Sequence, residues 1–251
     1  MTAASPDSPE PLRHPGIAEE PADDDALIEK LRIRAWDPGR RFDRAWVPSA
    51  WIAERYGADW FDRPHPGRRG TSSDGTVSLD SWAEEVAAYY ADAPRGPLFP
   101  PVTVAEVEDV ERRIGRRLPD LLRRIWTEVA DGGFGPDGGL VGLREGNRVP
   151  GHLNDWPSAV NVQERHRAEG VPASWFYLTG GGCTMYWYVS LLAADNPVLL
   201  YDCDGWVPEW GETPHDGLRH ATASLRKWFW TWAEGGNVWR EALDGPDSVP
   251  D

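Results

Sequence analysis

The chain has 251 residues, 40% of them hydrophobic, which is enough to bury a sizeable core in one large or two small domains. No run approaches the length of a membrane span, and no basic segment followed by an apolar one opens the chain, so neither a span nor a secretory signal is expected. The net charge is −15, and seven acids but no lysine or arginine lie between Arg167 and Arg219, which excludes the clustered basic surface needed to grip phosphate backbones.

Residues 1–25 carry seven acids against Arg13 alone and no periodic apolar residues, and read as a disordered acidic tail. Asp25 is placed to cap a helix with Leu27, Ile28 and Leu31 on one face, ended by Pro38 and Gly39. Aromatic-dotted segments follow around Trp46, Trp51, Ile52 and Tyr56, then a loop over 62–76. Ser81 and Glu84 have capping-box spacing and open a helix through Val86 and Tyr89–Tyr90. Pro94, Gly96, Pro97, Pro100 and Pro101 mark a boundary. Residues 26–98 thus read as a helical extension in which 42–95 is unassigned.

The stretch 102–143 is richest in signals. Thr103 and Glu106 form a capping box, and Val104, Val107, Val110 and Ile114 make an apolar helical stripe. Gly115 supplies the left-handed residue that stops the helix. Pro119 suits the first turn of a second helix, with Leu121, Leu122, Ile125, Trp126 and Val129 on its stripe and Gly132–Gly133 at its end. GLVGL at 139–143 reads as a short strand, and 158–168 as a short helix. Strand-like runs occupy 175–178, 184–190 and 197–202, with 205–210 as a further candidate. Leu225, Trp228, Phe229 and Trp232 follow helical spacing, and from Asn237 the chain reads as a weakly ordered tail, 236–251. Trp126, Trp175, Trp187, Trp228 and Trp232 are expected in the core. The order is α+β: helices, an antiparallel sheet and a closing helix.

These elements resemble the SUKH superfamily of bacterial immunity proteins and fungal regulators of cell-wall synthesis. The resemblance rests on the helix Val104–Ile114, on Gly115, Leu118 and Pro119, and on the helix ending in Asp131, Gly132, Gly133, Phe134 and Gly135. Gly182–Cys183 before an aromatic strand, Pro197–Val198 in the next strand and the Trp-rich last helix extend it over 99–235, with 26–41 as a matching opening helix. Residues 42–95 depart from the pattern as an insertion, and Val189-Ser190-Leu191 stands where the family has an aspartate–serine pair. The resemblance implies a SUKH-like domain of N-terminal helices on an antiparallel sheet, which binds another protein and has no catalytic residues, metal or cofactor to carry over.

Other motifs divide between chemistry and packing. Gly180–Gly182 lacks the spacing and lysine of a phosphate loop and reads as a hairpin turn. Cys183, Cys203, His152 and His166 match no zinc module, so the thiols are expected buried on neighbouring strands, in keeping with a reducing cytosol. His215, His220 and Asp216 could serve acid–base chemistry, or solvate a loop. The arginines at 112, 113, 116, 117, 123 and 124 read as a solvated helix face paired with nearby acids. Asp202, Asp204, Glu209, Glu212 and Asp216 interleave with Trp206 and Trp210, the pattern of aromatic anchors in a charged rim. That loop is the expected partner surface.

The expectation is a non-enzymatic cytoplasmic protein that neutralises a cognate toxin, such as a nuclease, by occluding its active surface, with no nucleic-acid or membrane partner. The alternative is a regulatory scaffold that binds through 42–95.

Overall fold

The structure is a computed structural model that describes residues 23–147 and 157–244. Most of the expected acidic tail, and His152 of the zinc set, lie outside these residues. The first helix, α1, spans Asp24–Ala35, and its cap is Asp23, whose side chain accepts from the Ala26 N–H at 3.1 Å. Asp25, the expected cap, sits instead in the first turn beside Asp24, where negative charge suits the helix dipole. Leu27, Ile28, Leu31 and Ala35 enter the main core.

The insertion folds around a small core of its own. It contains β1 (Arg44–Pro48), α2 (Ser49–Tyr56), β2 (Arg68–Thr71), β3 (Thr76–Asp80) and α3 (Glu84–Tyr89), with the strands in antiparallel order β1-β3-β2. Val47, Ile52, Trp60, Val77, Leu79 and Val86 are buried against one another. The segment is therefore a mixed unit, where the sequence suggested a helical extension. The Ser81–Glu84 capping box does not form: α3 begins after Ala83 without a side-chain cap. Ser81 still belongs to the sheet edge, since its N–H donates to the Asp43 carbonyl at 2.9 Å. Glu85, one position on, turns inward, accepts from Trp60 Nε1 at 2.9 Å and lies 2.8 Å from His65 Nε2.

The helix α4 (Val104–Ile114) carries the expected capping box at Thr103 and Glu106 and stops at Gly115 with φ 71°. Pro119 is the residue just before α5 (Asp120–Arg124), which continues into one π turn over Ile125–Val129. Gly132 is sterically required: its φ is +76°, and a Cβ there would lie 2.4 Å from the Leu140 carbonyl oxygen. The expected strand at 139–143 is absent. Gly133 and Leu140 close a turn by donating to the Leu140 and Phe134 carbonyls, and Val141 alone among them reaches the sheet, giving its N–H to Leu178 at 2.9 Å. The arginines mix local pairs, such as Arg117–Asp120, with bridges between elements, such as Arg113–Glu164 and Arg124–Asp25.

After α6 (Ala159–Ala168) comes an antiparallel meander of β4 (Trp175–Gly180), β5 (Met185–Ser190), β6 (Val198–Asp202) and β7 (Leu218–Thr222). No strand forms at 205–210, where Pro208–Trp210 is a 3-10 turn. The fourth strand lies at Leu-Arg-His-Ala-Thr, where the adjacent polar Arg219 and His220 break the alternation that would mark a strand. The outer edge of β4 is sealed by Gln163 of α6, which donates to the Trp175 carbonyl at 2.6 Å and accepts from the Tyr177 N–H at 3.0 Å. That side chain takes the place of a neighbouring strand.

The closing helix α7 (Leu225–Ala233) packs on α1, and a further helix, α8 (Val238–Asp244), packs on β7. The expected weak tail is thus helical over 238–244. Asn237 caps it by accepting from the Arg240 N–H at 3.1 Å. The five tryptophans expected in the core are buried. The architecture is α+β, with helices gathered around two antiparallel sheets.

Two half-buried carboxylates tie these layers together. Asp137 accepts from Trp187 Nε1 at 2.6 Å and from Trp239 Nε1 at 2.7 Å, and its own N–H donates to Asp43 at 3.1 Å. Asp43 also accepts from Trp232 Nε1 at 2.9 Å. Burial pushes both carboxyls above their ordinary value, and these hydrogen bonds pull them back. The insertion, β5, α7 and α8 meet at this junction.

Candidate functional site

Strand alternation gives the β4–β7 sheet two unlike faces. Phe176 and Trp187 point to the helical core, where they meet Trp126 and Trp228. Trp175, Tyr177, Tyr186, Tyr188 and Tyr201 point the other way. On that side the rings of Tyr188 and Tyr201 lie 6.0 Å apart, and Trp175 lies 6.0 Å from Tyr201. His166, from the last turn of α6, sits over this cluster with its ring 4.8 Å from that of Tyr186.

The cluster leaves a cavity of about 170 Å³, bounded by His166, Tyr186, Tyr188, Tyr201 and Trp206, with Glu169, Val171 and Cys203 completing its wall. Two of its hydroxyls are engaged: Tyr188 Oη lies 2.6 Å from His166 Nδ1, and Trp206 Nε1 donates to Tyr201 Oη at 2.7 Å. Burial raises the phenols of Tyr177 and Tyr188, and lowers His166 with Glu169 opposing and Arg165 assisting, which favours a neutral imidazole. Burial, then Asp204, pushes the Cys203 thiol up, which favours the protonated form. Aromatic rings and engaged hydroxyls suit the pocket to holding a compact group.

The acidic loop folds over the same face. Asp202 accepts from the Asp204 N–H at 3.1 Å, Glu212 from the Val207 N–H at 2.7 Å, and Asp216 from the Thr213 N–H at 2.7 Å. Those three carboxylates brace the loop. A Cβ on Gly217 would stand 2.4 Å from the Asp202 carbonyl, so the loop closes tightly on itself. Trp206 lines the cavity. Asp204, Glu209 and Trp210 are exposed, and Trp210 is 78% exposed, the most open of the large hydrophobics among the described residues.

The cysteines are not buried partners on adjacent strands. Cys183 is exposed in the β4–β5 turn and Cys203 is half-buried just beyond β6. The sequence pattern failed here because both lie where the strands have already ended. Among the described residues no three His, Cys, Asp or Glu side chains gather as a metal site. The Asp216 carboxylate is taken by Thr213, His215 lies in the exposed turn with its ring 5.1 Å from that of Trp175, and His220 falls within β7.

His166 and the tyrosines were not singled out together from the sequence. The usable signal was the aromatic spacing of two, Trp175 with Tyr177 and Tyr186 with Tyr188, which puts four rings on one face. No helix among the described residues is long and apolar enough to cross a membrane. No family model, no curated protein and no solved structure matches the chain.

Proposed function

We propose that this chain is a non-enzymatic protein-binding module, an immunity protein of the SUKH kind that neutralises a cognate toxin domain by covering its active surface. The observation that carries the reading is Trp210, 78% exposed and following exposed Asp204 and Glu209 on a loop braced from within. A rigid aromatic anchor beside acids is what interface hot spots use, and the bracing lowers the entropy lost on binding. Carboxylates presented this way stand in for the phosphates of a nuclease substrate. The helix signature of 103–135 leading into a meander and a closing Trp-rich helix supports the family reading.

The test is co-expression of the full chain, in a bacterial host, with the toxin-like C-terminal domain encoded by the adjacent gene. Restored growth supports the reading; continued arrest, or an adjacent gene without such a domain, overturns it.

A second reading, a regulatory scaffold that binds through the insertion, draws on Trp82 and Trp46, which are 65% and 36% exposed on that unit. Trp46→Ala with Trp82→Ala should abolish partner binding under the scaffold reading and leave it intact under the first.

A further inference from the structure

The cavity on the tyrosine face has a composition that selects for charge type. Tyr186, Tyr188, Tyr201 and Trp206 supply four electron-rich rings around a space of about 170 Å³. Glu169 stands exposed at its wall, and Asp204 lies close enough to act on Tyr186 and Cys203. Among the described residues no lysine or arginine lines it; Arg165, on the exposed side of α6, is a basic group whose field reaches the rings, against Glu169, Asp202 and Asp204. Aromatic rings with a nearby carboxylate attract cations, and the attraction grows as the cation is desolvated.

Size and hydrogen bonding narrow the cation. A cavity of ~150 Å³ accepts a benzene-sized group, whereas one water needs only ~10–15 Å³, so a compact alkylated head fits and a bare ion leaves most of the space empty. The hydroxyl of Tyr188 is engaged with His166 and that of Tyr201 with Trp206. A head that carries N–H groups gives up hydrogen bonds to water that the ring faces do not return. A quaternary ammonium carries none.

We propose that the pocket of Tyr186, Tyr188, Tyr201, Trp206, His166 and Glu169 is a binding site for a quaternary ammonium group. The group comes either from a free choline-like molecule or from a trimethylated lysine on another protein. This site stands independently of the toxin-partner reading: a chain that binds the cation and fails to restore growth keeps the site and loses the partner.

Calorimetric titration of the full chain with tetramethylammonium chloride and with choline tests it. The controls are 3,3-dimethylbutan-1-ol, the neutral isostere of choline, and sodium chloride at matched ionic strength. Choline should bind at least ~10-fold tighter than its neutral isostere, which is the loss of one or two cation–ring contacts converted to affinity. Trp206→Ala and Tyr186→Leu should each weaken choline binding ~10-fold or more. Trp206→Phe, which keeps a ring and removes the hydrogen bond to Tyr201, should recover most of it. Glu169→Gln should weaken binding severalfold with an unchanged fold by circular dichroism. A short peptide bearing trimethyllysine that binds tighter than choline assigns the protein source, and the reverse order assigns the free molecule. Equal binding of choline and its isostere, or no binding of either cation, overturns the proposal.

Discussion

The two faces of the β4–β7 sheet are built from the same strands, yet they solve different problems. The inner face is closed by large indoles, of which Trp187 gives its N–H to the half-buried Asp137 and Trp126 to the Val141 carbonyl. The outer face pairs phenols with an imidazole and an indole and keeps a cavity. One residue along a strand moves a side chain from scaffold to site. The difference teaches that tyrosine alternation marks the site here, while tryptophans serve both faces, Trp187 and Trp228 inward and Trp175 and Trp206 outward.

Substitutions should separate the faces by size of effect. Trp187→Ala empties the centre of the inner face and orphans an Asp137 oxygen, so urea unfolding should show a loss of about 3–5 kcal/mol. A loss close to zero would mean that the inner face is not the scaffold. Asp137→Asn keeps the volume, and asparagine tolerates the residue's φ of 55°. It offers one amide hydrogen-bearing edge where two indoles need acceptors, so a loss of about 2 kcal/mol is expected by the same measurement. On the outer face Tyr188→Phe removes the partner of His166 and should cost about 1 kcal/mol.

The outer face should also respond to acid. Burial lowers His166 below its ordinary value, so the unfolded chain takes up a proton more readily than the folded one. The stability linked to it is fully present above the ordinary histidine value and falls as pH drops from there toward the lowered one. The slope cannot exceed about 1.4 kcal/mol per pH unit. Comparing the unfolding free energies of the parent and His166→Gln at pH 7 and pH 5.5 isolates the contribution, and identical slopes would refute it. The smallest stability effect belongs to Trp210→Ala, within about 0.5 kcal/mol, because the side chain is exposed. The same change should remove partner binding, and Asp204→Lys with Glu209→Lys should weaken it and flatten its salt dependence.

What could be read from residues follows the range of the forces involved. The α4 capping box, the Gly115 stop and the Gly132 turn depend on neighbours within a few positions, and these were legible. The insertion's sheet was not, because β1 and β3 pair across some thirty residues and its core rests on isolated apolar positions such as Val47 and Leu79. The acidic loop was legible as composition, whereas the division between bracing carboxylates and exposed ones depends on which backbone N–H each oxygen reaches. The cavity was least legible, since its lining comes from α6, β5, β6 and the loop beyond, and only folding assembles them.

The Asp43–Trp232 hydrogen bond joins residues 189 positions apart. Lys30 pairs with Glu234, and Arg34 donates to the Trp232 carbonyl, across the still longer spans of 204 and 198 positions. Synthesis proceeds from the other end, so a growing chain exposes α1 and Asp43 long before these partners leave the ribosome. Until Trp232 emerges, Asp43 lacks that donor and Leu27 and Leu31 lack the helix that covers them. The face of α1 that meets α7 therefore stays open through most of synthesis and is covered only near its end, while the insertion, with its own small core, has its partners early.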